Sequence, residues 1–269
     1  MKQENGTITA ANRRTFLKGA GLAGISLASA AIIGSKLGAD QPKVEAAALT
    51  DVEILNFALN LEYLEAEFYA MATYGATLLQ LGVITSSEQT GPTMGGQAVP
   101  NFKNLPQAYL ASALRDDEIK HVMFLRSALG SAAAKKPAIN LNALGYGFAN
   151  VSSFLKLARQ FEDVGVSAYL GAVPLITNST YLAAAGAILS TEALHSGSIR
   201  DVCIMNGVIS PAVDALDVPP TAQNPYAVDK NALSIPRTPS QVLKIVYAGG
   251  SCSGGFYPNG MNGSVTCQA

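Results

Sequence analysis

The sequence holds only two histidines, His121 and His195, and each has a glutamate three residues before it, giving Glu118-x-x-His121 and Glu192-x-x-His195. On an α-helix, positions i and i+3 lie about 60° apart around the axis and about 4.5 Å along it, so a carboxylate and an imidazole at that spacing reach one cation. Two further glutamates sit in apolar surroundings: Glu62 in Leu61-Glu62-Tyr63-Leu64, and Glu162 in Phe161-Glu162-Asp163-Val164. Each is followed seven residues later by a tyrosine, Tyr69 or Tyr169, which two helical turns return to the side of its glutamate. The chain thus reads as two similar halves, Glu62 with Glu118/His121 and Glu162 with Glu192/His195. Four carboxylates and two imidazoles are hard-oxygen and borderline-nitrogen donors. They suit two metal ions, iron or manganese in preference to zinc.

Charge supports the same reading. Four carboxylates in an apolar bundle each cost several kcal/mol if unpaired. Arg115 and Arg159 precede Glu118 and Glu162 by three residues, but nothing basic serves Glu62, and Glu192 has only its histidine. Two divalent ions would balance all four acids. Glu65 falls on the inward face and is expected to be an extra ligand or a neighbouring acid; the matching position of the second half is Gly165. Glu67 lies off that face and is expected to be solvated. Asp117 and Asp163 would either orient the histidines or sit at the surface. Arg200 and Asp201 are expected to form helix-end pairs. The apolar neighbours Ile119, Val122, Ala193 and Leu194 leave the Glu-x-x-His pairs little exposed face. Tyr69 and Tyr169 would pack in the core with the hydroxyl on a carboxylate, or take a redox role.

These residues need long helices to hold them. Thr50-Asp51-Val52-Glu53 is a capping box that starts a helix, and the helical pattern continues to about Leu81. Residues 82–104 read as loop, broken by Gly91-Pro92 and Gly95-Gly96. A second helix is predicted from Pro106 to Leu129, a third from about Ser152 to Leu175, and a fourth from Ser179 or Thr180 to about Asn206. Four helices of roughly 24 to 31 residues, about 36–46 Å each, suggest a bundle. Beyond Val208 the chain is broken by Pro211, Pro219, Pro220, Pro225, Pro236 and Pro239. Within it, Gln241 to Tyr247 is read as a short strand on its β-branched residues, followed by a Gly-rich loop layer.

Composition sets the outer limits. With 269 residues, 49% of them hydrophobic, the chain can bury one sizeable core or two small ones. Charged residues are 14% and the net charge is −1, so no nucleic-acid partner is implied. None of Cys203, Cys252 and Cys267 lies in a CxxC pair, which argues against a zinc ribbon or an iron–sulfur cluster. Cys252 and Cys267 could pair in an oxidising compartment, leaving Cys203 as a small buried residue on the fourth helix.

The first residues read as an address. Arg13-Arg14-Thr15-Phe16-Leu17-Lys18 precedes a Gly/Ala-rich apolar run from Gly19 to Gly34, and Ala46-Ala47-Ala48 offers a cleavage site. This resembles a twin-arginine export signal. The resemblance implies the twin-arginine translocase as a partner, export of a folded protein, and a periplasmic or extracellular location. Membrane association would follow only if the signal stays uncleaved.

Asn60-Leu-Glu-Tyr-Leu-Glu-Ala-Glu-Phe-Tyr69, Phe161-Glu-Asp-Val-Gly-Val-Ser-Ala-Tyr169 and Thr191-Glu-Ala-Leu-His195 resemble the ferritin-like superfamily, in the branch of desiccation-related and exported ferritin-like proteins. The resemblance covers residues 50 to 207, and more loosely Gln241 to Gly263. It implies an all-α fold: a ferritin-like four-helix bundle with a long crossover connection and an irregular Pro/Gly-rich C-terminal extension. The expected division is 1–48 export signal and linker, 50–207 bundle, 208–269 extension. The implied metal ligands are Glu62, Glu118, His121, Glu162, Glu192 and His195. The expected function is either ferroxidase or peroxide-scavenging chemistry with O2 or peroxide as the small oxidant, or a non-enzymatic stress role in which the metal pair clamps the helices. An oligomer is left open.

Overall fold

The structure is a computed structural model that describes residues 49–102 and 106–268, so the export signal read in residues 1–48 lies outside the described residues. Four long helices, α1 (Asp51–Tyr74), α2 (Pro106–Leu129), α3 (Val151–Ala172) and α4 (Ser179–Met205), form the bundle, and α5 (Pro239–Val246) lies in the extension. α1 packs chiefly on α2 and α3 on α4, and the 130–150 connector crosses from one pair to the other. The all-α bundle read from the sequence is the observed fold. Among the described residues no helix is long and apolar enough to cross a membrane.

The Thr50 capping box forms as expected, with Thr50 N–H donating to Glu53 Oε2 at 2.8 Å and Glu53 N–H returning to Thr50 Oγ1 at 3.3 Å. α1 ends at Tyr74, well before the expected Leu81. Gly75 adopts a left-handed φ of 67° and its N–H closes on Met71 O at 2.9 Å, the glycine stop that a side chain would strain. Every residue from Ile54 to Thr73 is buried, so α1 is the covered central helix and has no solvent face.

That burial corrects the reading of Glu67, which is fully buried. Its Oε2 accepts the Leu78 N–H at 3.1 Å, and its Oε1 lies 3.8 Å from Nζ of the equally buried Lys136. Lys136 donates to Gly91 O, Thr93 Oγ1 and Pro137 O at 2.9–3.1 Å. These contacts join the α1–α2 and α2–α3 connectors, which pair as a short parallel ladder: β1 (Thr93–Met94) against β2 (Ile139–Asn140), with Thr93 opposite Ile139.

The segment expected as a strand is α5. Thr238 and Gln241 form a second capping box, and Pro239 supplies a preset φ at the first turn. Val242, Ile245 and Val246 fall at i, i+3 and i+4, so the β-branched residues make one helical face, and cap chemistry outweighs strand propensity. Beyond α5 the chain returns to α1, where the Tyr257 hydroxyl donates to Asn60 O at 2.7 Å and Asn60 Nδ2 donates to Asn262 O at 2.8 Å. Cys252 and Cys267 form a disulfide, and Cys203 is free and buried.

Arg200 is not a helix-end residue. It is 1% exposed, and donates to Asp163 Oδ2 at 2.5 Å and to the carbonyls of Pro225 and Val218. Asp163 also accepts from Ser196 at 2.6 Å and from Arg159 at 3.4 Å, and Arg159 is held by Asp217 at 2.6–2.7 Å. Asp163 therefore pins the extension to α3 and α4 and takes no part in orienting a histidine. Removing it in Asp163→Ala strands a buried guanidinium. A urea titration is expected to show a loss of about 3–5 kcal/mol, whereas Lys120→Ala, which breaks a solvent-screened pair with Asp117, is expected to leave the midpoint nearly unchanged.

Candidate metal centre

Each of the four long helices contributes to one cluster. Glu62 comes from α1, Glu118 and His121 from α2, Glu162 from α3, and Glu192 and His195 from α4. All six residues that the sequence singled out converge. Ligand atoms of Glu62, Glu118, His121 and Glu192 lie within 4.8 Å of one another, and so do those of Glu118, Glu162, Glu192 and His195. Glu118 and Glu192 belong to both groups and lie between them. The histidine ring centroids are 6.1 Å apart.

The contacts differ from a simple pairing within each motif. Glu118 reaches both imidazoles, with Oε2 at 3.2 Å from His121 Nδ1 and Oε1 at 2.8 Å from His195 Nδ1. Glu192 Oε1 reaches across to His121 Nδ1 at 3.3 Å. Glu62 Oε2 also faces His121 Nδ1, at 3.2 Å, and Glu162 Oε2 faces His195 Nδ1, at 3.5 Å. The tyrosines cross between halves: Tyr69 donates to Glu162 Oε1, and Tyr169 donates to Glu62 Oε1. Each outer glutamate thus has one oxygen held by a phenol and the other turned into the cluster. Seven-residue spacing placed each tyrosine on the cluster side of its helix but did not reveal which carboxylate it meets.

Asp117 lies 3.5 Å from His195 Nε2, on the side of the ring away from the cluster, where a carboxylate fixes an imidazole's orientation. The flanking residues are not uniformly covered, since Leu194 is 70% exposed while His195 beneath it is buried. Glu65 is buried beside the cluster. A Cβ placed on Gly165 would come within 2.8 Å of Glu192 Oε2 and 3.3 Å of Glu65 Oε1, so the glycine leaves room for both carboxylates.

The donor set fits a pair of cations. Glu62 Oε2, Glu118 Oε1, Glu162 Oε2, both Glu192 oxygens and His195 Nδ1 are buried and make no well-aligned hydrogen bond, Glu118 Oε1 and His195 Nδ1 being close but poorly directed, and most of these atoms face one another. Buried polar atoms are ordinarily paired. Among the described residues no lysine or arginine reaches these glutamates. Arg115 is engaged by Asp116 and Thr73 and lies over the Tyr74 ring, and Arg159 is taken by Asp217 and Ser210. The arginines at i−3 therefore do not neutralise the cluster.

Electrostatics follow from this crowding. Burial raises the Glu62 carboxyl to about 7, and burial with neighbouring carboxylates raises Glu192 and Glu65 well above the usual range. Burial also raises Glu162, and it opposes ionisation of Glu118, but the two facing histidines outweigh it and hold Glu118 at about 2. Burial disfavours both imidazoliums. The facing carboxylates override this, raising His195 to about 11 and His121 still further.

A family model described as a ferritin-like domain matches residues 50–204 of the chain. Among curated proteins, "Ferritin-like catalase Nec2" of Nesocodon mauritianus is 23% identical, with 80% of this chain and 84% of that protein covered. "Desiccation-related protein PCC13-62" of Craterostigma plantagineum is 26% identical over 56% of this chain and 52% of that protein.

Protons and cations compete for the same atoms. Without metal, the raised carboxyl of Glu62 contributes stability that is complete below about pH 4.5 and lost as pH rises through 7. The His195 imidazolium contributes stability complete below about 6.5 and lost as pH climbs toward 11. Glu118 acts oppositely, but only between about 4.5 and 2. Metal-stripped protein is therefore expected to melt several degrees lower at pH 8 than at pH 5.5, and saturating Mn(II) to raise the melting temperature more at pH 8. Melting curves with no pH trend and no response to metal would contradict this account of the cluster.

Proposed function

The chain belongs to the ferritin-like domain family, and from that premise we propose that it is an exported di-metal oxidoreductase that consumes peroxide. The observation that carries this reading is the set of six converging side chains whose inward atoms have no other partner. The relative named as a ferritin-like catalase supports peroxide over other oxidants. When bound, an iron or manganese pair supplies a two-electron couple, sufficient for 2 H2O2 → 2 H2O + O2.

The protein's own residues have separable tasks. Glu62 and Glu162 present one oxygen each, fixed in direction by Tyr169 and Tyr69. Glu118 and Glu192 span the two histidines and tie the halves into one unit. Asp117 holds the His195 ring from behind. Glu65, its carboxyl raised well above the usual range by burial and flanking Gly165 with Glu192, would be a proton source beside the cluster. His121 has the most exposed side chain of the six, 13%, and marks the edge by which a molecule as small as peroxide enters.

Export rests on Arg13-Arg14 and the apolar run that follows them, with the translocase as partner and the periplasm or exterior as destination. The Cys252–Cys267 disulfide suits such an oxidising compartment.

A second reading, a stress protein in which the metal pair only clamps the helices, is favoured by the desiccation-related relative. An oxygen electrode separates the two. Protein loaded with Mn or Fe is expected to evolve one O2 per two H2O2, with a drop of roughly 100-fold or more in Glu118→Ala. Stable metal with no peroxide turnover would favour the clamp, and Fe(II) oxidation by O2 without peroxide turnover would favour a ferroxidase. Replacing Arg13 and Arg14 together by lysine is expected to retain the protein in the cytoplasm, read by fractionation.

A further inference from the structure

A cavity between α3, α5 and the 211–216 segment shares no residue with the metal centre. It is about 620 Å³, within the range of small-molecule sites. One wall is the stripe Leu157, Gln160, Phe161 and Val164 of α3, at i, i+3, i+4 and i+7. Glu162 and Tyr169 leave α3 from a different face. The opposite wall is the 211–216 segment and α5, which arch over the stripe without filling the space. The space opens to solvent along one side, and a concave, mainly apolar cleft with few polar groups is the usual form of a small-molecule site.

The polar groups on its walls define that occupant. The Tyr146 hydroxyl donates to Gln160 Oε1 at 2.8 Å, and Gln160 Nε2 donates to Pro211 O at 2.9 Å. Asp214 gives both carboxylate oxygens to Arg237, at 2.7 and 2.9 Å. The interior hydrogen-bonding groups are therefore engaged with one another and make no demand for a polar ligand. Lys244 differs: it lines the cavity, is exposed, and makes no ion pair or side-chain hydrogen bond among the described residues. We propose that this cavity binds an amphipathic monoanion, its apolar body against Val213, Leu216 and Ile245 over the floor formed by Phe161 and Val164, and its anionic head on Lys244. The site is independent of the metal centre and of the peroxide reading.

Isothermal titration of the full exported protein with decanoate, and with decanol as its uncharged counterpart, tests this. Decanoate is expected to bind one to one with a Kd below about 1 mM, and decanol at least fivefold more weakly. Lys244→Glu should weaken decanoate at least tenfold and leave decanol unchanged. Val213→Trp, which fills the space from the 211–216 wall, should abolish both, with an unchanged melting temperature excluding a folding defect. If Val213→Trp melts lower, Lys244→Glu alone decides. No binding of decanoate, or equal binding by wild type and Lys244→Glu, overturns the proposal. So does co-sedimentation with phosphatidylglycerol vesicles in the absence of decanoate binding, which would assign this face to a membrane.

Discussion

Buried negative charge is the constraint around which this protein is organised. Glu62, Glu118, Glu162 and Glu192 are drawn below the surface with Glu65 beside them, and among the described residues no lysine or arginine comes with them. A carboxylate out of water costs several kcal/mol unless something opposes it. Among the described residues, two imidazoles and two phenols do so directly. The unpaired oxygens face inward together, which is the arrangement a cation pair would satisfy and hydrophobic packing would not.

A second buried charge system gives the contrast. Asp163, Asp217, Arg159 and Arg200 are as deeply placed, yet each acid meets a guanidinium at hydrogen-bonding distance, and serine hydroxyls and backbone carbonyls take up remaining capacity. That network closes on itself and fastens the extension to α3 and α4. Glu67 and Lys136 do similar work on the other side, fastening the connectors to α1. Charge pairs hold the structure together, and among the described residues the largest group of buried acids without a cationic side chain is the candidate site.

The coverings of α1 follow from the same need. A helix with Glu62, Glu65 and Glu67 within two turns would ordinarily leave a face in water. In this chain the connectors cover one side through Lys136, and the disulfide-closed tail covers another through Tyr257 and Asn262. The cluster is thereby held in a low-dielectric setting, in which its charges act strongly on one another.

Much of this was legible in the linear sequence, for reasons of local geometry. The Thr50 capping box, the 3.6-residue periodicity and the i, i+3 spacing of Glu118/His121 and Glu192/His195 follow from helix dimensions alone, and they sufficed for the bundle and for the six residues that meet. What tertiary structure alone decided is the pairing across helices. Glu192 turns to His121, and Tyr69 and Tyr169 cross to the opposite half, because rotation and height between helices are set by core packing and not by spacing along one chain. Glu67 and Arg200 were misread for the same reason: whether a helix face is wet depends on distant segments that later fold over it. The 239–246 segment was misread because its apolar spacing fits a strand or a helical face, and the Thr238 cap resolves the choice.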